Sequence, residues 1–444
     1  MFPHYVLSVL SAWAALVSAE TVIIPGAPWT DTSGDIIQAH GAGILKVGST
    51  YYWFGEDKSA NSALFSAVSC YSSSDLVNWS RQNNALTPVS GTMISNSNII
   101  ERPKVMFNQK NQEYVMWFHS DTSNYGAAMV GMATAKTPCG PYTYQGSWKP
   151  LGADSRDMGL FVDTDESAYL LYASDNNQNF KIARMDSNYY NVTAIVSQLN
   201  GSTLEAPGIV KRDNVYYLIA SHTSGWDPNP NKIFQSSSLS GPWSAQADIA
   251  PASTRTYFSQ NAFDLPLGSN AIYMGDRWRP SLLGSSRYIW YPLDFSSGSP
   301  RIAHADVWSV DVSAGTYTVA SGTTYEAEAG TISGSATILS GSSFSGGQAV
   351  GYLGNGGSVT INNVQGNGQA QWIALYYANG DSTWRNTTVR PSTIVDQPNT
   401  GGGNVIISVP VKLTLNNGAN SLTFSAGQSS YAADLDKIIV YQQG

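Results

Sequence analysis

One carboxylate stands in a setting that rarely tolerates it. In the stretch STLEAPGIV, Glu205 sits between Leu204 and Ala206-Pro207 and opens an apolar run. A glutamate is seldom fully buried without a partner, and desolvation raises the pKa of one that is. Glu205 is therefore either an ion-paired framework residue or a carboxyl kept protonated for acid work. Three more carboxylates flank or open apolar runs: Glu56 in WFGEDK, Glu101 in IIERPKV and Asp157 in DSRDMGLF. Aromatic and amide residues occupy similar places, namely Trp53, Tyr125, Trp226, Gln260, Asn261 and Trp278. Several carboxylates among aromatics, with no Cys/His metal spacing and no phosphate-binding motif, point to sugar chemistry. Cleaving a glycosidic bond needs one carboxylic acid of raised pKa to protonate the leaving oxygen. It also needs a second group that activates water or attacks carbon.

A second constellation lies near the C-terminus. Glu326 and Glu328 alternate by two in YEAEAG, which puts both on one face of a strand. Asp436 in DLDKIIV would supply a third oxygen donor from the last strand. Such a set suits calcium, a hard ion that takes carboxylates and carbonyls. The alternative is an exposed acidic strand end.

These residues must be carried by strands. An apolar-aromatic run recurs as ILKVGSTYYWFGED, NQEYVMWFHSD, SAYLLYASD, NVYYLIASHTS and SNAIYMGDRW. The spacing is roughly 50 to 60 residues, a period typical of blade or array architectures. Helical periodicity is scarce, and β-branched and aromatic runs bounded by Gly, Pro, Asn and Ser dominate, so the fold class is all-β. Five units over 20–315 predict a five-bladed β-propeller whose inner strand ends line one funnel. After a Gly/Ser/Thr-rich stretch with an expected linker at 316–323, short strands alternate with Gly-rich turns. That pattern predicts a β-sandwich of the jelly-roll kind over 324–444.

Composition narrows the partners. The 444 residues are only 12% charged, carry a net charge of −8 and contain no basic cluster. Nucleic acid and anionic membrane are accordingly poor partners. Residues 1–19 read as a secretory signal ending in Val17-Ser18-Ala19, which implies a secreted, extracellular protein. The only cysteines, Cys70 and Cys139, are an even pair that forms either a disulfide or two buried thiols. Acceptor tripeptides for N-glycosylation occur at Asn78, Asn191, Asn200 and Asn386. Nothing suggests oligomerisation, so a monomer is expected.

The segments FGEDKSANSALF, YSSSDLVNW, IERPKV, SRDMGLFVDTD, LEAPGIV and YFSQNAFDLP together resemble glycoside hydrolase family 43, in its fungal exo-β-1,3-galactanase branch. The resemblance covers the whole mature chain. It implies an inverting exo-glycosidase that releases galactose from the non-reducing end of β-1,3-galactan, the arabinogalactan backbone. It makes Glu205 the general acid and Asp157 the carboxylate that orients the acid and holds up its pKa. The family's usual base, an aspartate on the first blade, is absent, since QAHGAG has Gly41 there. In the galactanase branch the water-facing role falls to a glutamine matching Gln260, with Glu101 and Glu56 assisting or binding hydroxyls. Arg102, paired with Glu101, and Tyr125 and Thr223 are expected to bind substrate. The last 120 or so residues resemble carbohydrate-binding module family 35. That implies a structural calcium site at Glu326, Glu328 and Asp436, and sugar binding at Tyr352, Asn379, Arg385, Tyr431 and Asp434. Two rival readings remain open: a sister activity (β-xylosidase or α-arabinofuranosidase), and a galactan-binding lectin that lost its base.

Overall fold

The computed structural model describes residues 21–389 and 393–442. The expected signal segment 1–19 and the short connection 390–392 lie outside the described residues. Among the described residues the fold is all-β, broken only by a four-residue helical turn at Arg255–Phe258 and a few three-residue 3-10 turns. Each apolar-aromatic run found in the sequence becomes the second strand of a four-stranded antiparallel sheet. There are five such sheets in chain order. Their first strands are His40–Val47, Asn98–Asn108, Met158–Val162, Leu204–Arg212 and Gln260–Leu267. Each of these packs beside the first strand of the next sheet, and Gln260–Leu267 packs back against His40–Val47. The five strands form a circuit of packed neighbours rather than one hydrogen-bonded sheet. Their starts converge at one end of the common axis.

The circuit is held shut by indoles. Trp53, Trp79, Trp290 and Trp308 are fully buried, and Trp53 meets Trp290 at 4.7 Å and Trp79 at 5.1 Å between ring centroids. Each such aromatic pair adds about 1 kcal/mol beyond its buried area. Ile23 bridges Trp308 beside them and ties the start of the described chain to the strand that follows the fifth sheet. Trp53 therefore belongs to this core and does not face the funnel as the sequence suggested. Asn261 is likewise fully buried, hydrogen-bonded to Asp264 and to the Ala206 carbonyl.

The expected linker at 316–323 is not an open segment. Thr316–Val319 pairs with Trp308–Asp311 in a hairpin, and Gly322–Glu326 already pairs with Asp434–Tyr441. The remaining strands make a six-stranded and a five-stranded antiparallel sheet that share one core, including Ile373, Leu375, Tyr377, Val359, Phe424 and Ile438. The two regions dock firmly. Asp306 accepts hydrogen bonds from Tyr376, Tyr441 and Ser408, and Arg279 pairs with Asp396 at 2.6 Å.

Cys70 and Cys139 are joined, linking the first sheet to the turn after Met129–Ala135 across 69 residues of chain. Closing a loop of that length restricts the unfolded chain by about 4 kcal/mol. The Cys70→Ala/Cys139→Ala protein should lose stability of that order, read as a lower urea midpoint.

Candidate active site

The converging strand starts share a local device. A β-bulge follows His40 in the first sheet, Glu101 in the second, Glu205 in the fourth and Asn261, next to Gln260, in the fifth. Bulges re-aim the side chain at the point of insertion. In three of them the next residue has positive φ: Gly41 (59°), Arg102 (52°) and Ala206 (53°). The bulges turn Glu101 and Glu205 inward, with Gln260 and, just ahead of the third sheet, Asp157. With Glu56, Arg102, Tyr125 and Thr223 they line one cavity of about 380 Å³. Trp226 and Trp278, edge to face at 4.9 Å, form part of its wall.

The electrostatics assign these carboxyls different states. Burial raises the Glu205 carboxyl to about 8, helped by the Asp157 charge and opposed by Arg102. It is a protonated acid at neutral pH. Burial would also raise Glu101, but the hydrogen bond and charge of His119, with Lys58 and Tyr125, pull it down to about 2. His119 bonds Glu101 through Nδ1 (3.1 Å) and Asp121 through Nε2 (2.9 Å). Burial opposes its charge, yet these two partners hold the imidazole up at about 9. Glu101, His119 and Asp157 lie close enough to suggest a metal cluster. Both His119 nitrogens are already engaged by Glu101 and Asp121, so a cation there would have to displace one of these bonds.

Arg102 does not pair with Glu101 as expected. Its Nε donates to Asp157 (2.6 Å), Nη1 to the Asn261 carbonyl (3.0 Å) and Nη2 to Gln260 Oε1 (2.7 Å). Trp278 Nε1 also donates to Gln260 Oε1, at 2.8 Å. Arginine and indole nitrogens only donate, so they fix the amide's orientation and leave Nε2 to donate to Glu205 Oε1 at 2.9 Å.

Gly41 is explained by Glu56. A Cβ at residue 41 would lie 2.2 Å from Glu56 Oε1. A carboxylate from the neighbouring strand thus fills the space that a residue-41 side chain would take. Glu56 accepts from the Arg102 backbone N–H at 2.9 Å and pairs with Lys58 at 2.8 Å. Burial raises its pKa, Lys58 opposes this and Glu101 adds to it. Asp276 completes the arrangement, accepting from His40 Nδ1 and the Gly41 N–H.

Family-model and structural comparisons agree on kinship. The model for glycosyl hydrolases family 43 matches residues 38–263, just over half of the chain. The chain belongs to that family. An exo-β-1,3-galactanase from Phanerochaete chrysosporium, with one glutamate replaced by alanine and β-1,3-galactotriose bound, is 77% identical with a TM-score of 0.94. The match covers 95% of this chain and 100% of that one. The same enzyme with galactose is also 77% identical over the same shares of both chains, with a TM-score of 0.93. An exo-β-1,3-galactanase from Clostridium thermocellum is 29% identical over 94% of this chain and 99% of its own, with a TM-score of 0.64. No curated protein sequence matches the chain.

Sequence reasoning missed the groups that set the family 43 site's charge states: His119, Asp121, Lys58 and Asp276. The polar end of VMWFHSD was the available signal, a strand closing on three polar residues at the funnel.

Of the expected C-terminal binding residues, four come together. Tyr352, half exposed, stands edge to face with Tyr431 at 5.5 Å. Arg385 donates to the Ala432 carbonyl at 2.9 Å, and burial raises Asp434 to about 6 against the Arg385 charge. Asn379 does not join them. It is 2% exposed, and its amide is spent on the Thr383 and Gln397 carbonyls and the Asp381 N–H. It shapes the loop instead. Among the acceptor asparagines, Asn191 and Asn200 are exposed, whereas Asn78 and Asn386 are half-buried.

Glu326 ends its strand, and Glu328 lies in the turn beyond, so the two do not alternate along one strand. Their charges still act on Asp436. Burial raises Asp436 to about 6 and Glu328 upward, and the acidic neighbours add to both. Glu326 Oε2 and Glu328 Oε2 are buried without hydrogen-bond partners.

Gly41→Ala combines a close contact with a backbone the side chain resists, at a cost of about 1–2 kcal/mol for φ alone. The variant should melt lower and lose kcat more than KM, because Glu56 is pushed from its place.

Proposed function

We propose that the chain is a secreted, monomeric inverting glycosidase that removes galactose from the non-reducing end of β-1,3-galactan. Its five sheets are read as the blades of a β-propeller, and its C-terminal sheets as a jelly-roll sandwich of carbohydrate-binding module family 35. The carrying observation is Glu205, a buried carboxyl of pKa about 8 on the wall of the axial pocket. It donates its proton to the glycosidic oxygen. The Asp157 charge keeps it protonated until then, and Arg102 holds Asp157 in place. Gln260 Oε1 already accepts two hydrogen bonds, so the amide is a poor resting place for the proton of the attacking water. Gln260 orients the acid and the water instead, and the proton passes to a carboxylate. Glu56, standing where a first-strand side chain would be, fits that role, and ionised Glu101 binds the sugar with Tyr125. The β-1,3-galactotriose complex of the 77%-identical enzyme supports the substrate.

Activity needs protonated Glu205, so kcat/KM should fall as pH rises past about 8. Asp157→Asn removes a charge that raises this pKa and should move that limb to lower pH. Glu205→Gln should lose about 10²–10⁴-fold in kcat, with the released anomer followed by NMR. Azide should restore Glu56→Gln. Azide restoring Gln260→Ala instead would give the amide the base role.

We further propose that Glu326, Glu328 and Asp436 hold calcium, because two buried carboxylate oxygens without partners and three mutually repelling acids suit a hard cation. When bound, the ion would neutralise these charges. Asp436 has a folded pKa above its unfolded one. Without cation, its stabilising contribution is therefore complete at low pH and lost as pH rises through about 6. Calcium should raise Tm more at pH 7.5 than at pH 4, and Glu328→Gln should shrink that gain. Equal gains at both pH values would count against the site.

A further inference from the structure

Between the fifth sheet and the C-terminal region lies a groove of about 310 Å³ that the catalytic reading does not use. Arg277, Arg287, Trp372, Trp384 and Asp396 line it. Arg277 and Arg287 are directly opposed on neighbouring antiparallel strands. Like charges in that position repel, and Asp396 offsets the Arg287 charge only in part. Arg277 is 3% exposed, and its Nε and Nη2 are spent on the Phe258 and Tyr257 carbonyls. Its Nη1 has no hydrogen-bond partner among the described residues. Arg287 uses only Nη1, on the Ser285 and Ser286 carbonyls. Neither arginine has a carboxylate within ion-pair distance among the described residues. The one acid lining the groove, Asp396, is taken by Arg279 at 2.6 Å. Burial depresses both guanidinium groups, and for Arg287 the Arg279 and Arg277 charges add to this against Asp396.

Holding two guanidinium groups side by side, one buried and one half-buried, without a carboxylate of their own is costly in a chain whose net charge is −8. The arrangement is what an anion would relieve, since guanidinium forks match the two oxygens of a carboxylate. Trp372 and Trp384 on the same walls each hold a cation over the ring, Lys412 at 5.3 Å and Arg279 at 5.1 Å, which adds to the positive charge around the groove. We propose that this groove is a second binding site, separate from the axial pocket, for a ligand bearing a carboxylate.

The test titrates the full chain with methyl β-D-glucuronide, with methyl β-D-galactoside as the neutral control and sodium sulfate as the inorganic anion. Wild type and Arg287→Gln are compared by calorimetry and thermal shift, with galactose release from β-1,3-galactan as a separate readout. Glucuronide should bind wild type and raise its Tm, and sulfate should compete with it. Arg287→Gln should weaken glucuronide binding at least tenfold and melt higher than wild type without ligand, since the repulsion is gone. Its rate on galactan should stay unchanged. Three results would each overturn the proposal: no glucuronide binding, equal glucuronide affinity in both proteins, or a sulfate response without a glucuronide response, which would reduce the groove to an inorganic-anion site. A fall in galactan hydrolysis alone would bear on the catalytic reading and not on this one.

Discussion

Arg102 is the group on which the pocket's geometry depends. Its backbone N–H holds Glu56 of the first sheet, its Nε holds Asp157 ahead of the third, and its Nη atoms hold Gln260 and Asn261 of the fifth. It is itself part of the second sheet and its charge acts on Glu205 of the fourth. One residue thus links five sheets that share no continuous hydrogen-bonded ladder at the axis. The positive φ of Arg102 aims the guanidinium there, and a left-handed conformation at a bulky residue persists only where its surroundings over-determine it. Here four hydrogen-bonded partners do so.

The same guanidinium sorts the charges. Four carboxyls, Glu56, Glu101, Asp157 and Glu205, share one small cavity and cannot all ionise without compensation. Arg102 takes Asp157, Lys58 takes Glu56 and protonated His119 takes Glu101. Glu205 receives no cation of its own. Only the Gln260 amide and a backbone N–H bond it, and burial then keeps its proton in place. The acid is defined by exclusion: it is the carboxyl that the fold leaves unpaired.

Much of this was legible in the residues. The recurring apolar-aromatic runs located the five sheets because each is a second strand buried on both faces, so its composition is dictated by packing. IERPKV and LEAPGIV both placed a glutamate two residues before proline, which marks where a regular ladder breaks. What the residues could not show was pairing across sheets. Arg102 adjoins Glu101 in sequence yet turns away from it, because the bulge between them sends the two side chains to different partners. Trp53 alternates with funnel-facing residues, yet the indoles of the first and fifth sheets claim it. Asn379 has the donors of a sugar ligand, but a polar side chain 2% exposed is spent on its own loop. The linker at 316–323 read as open because its residues are small and polar. Those residues are strands whose pairing partners lie either next door or more than a hundred residues away.

Gly41 shows why a missing residue need not mean a missing group. A glycine on the first strand removes one side chain from the funnel. It also removes the Cβ that would keep Glu56 out, since 2.2 Å is shorter than any real contact. The bare Cα at 41 and the place taken by Glu56 therefore go together, and a carboxylate stands at that point of the axis. The backbone still has to be held without a side chain, which Asp276 does through the Gly41 N–H and His40. Where residue 41 brings no side chain, the next strand supplies a carboxylate, and burial and Glu101 push its pKa upward against Lys58, the direction a proton acceptor would require.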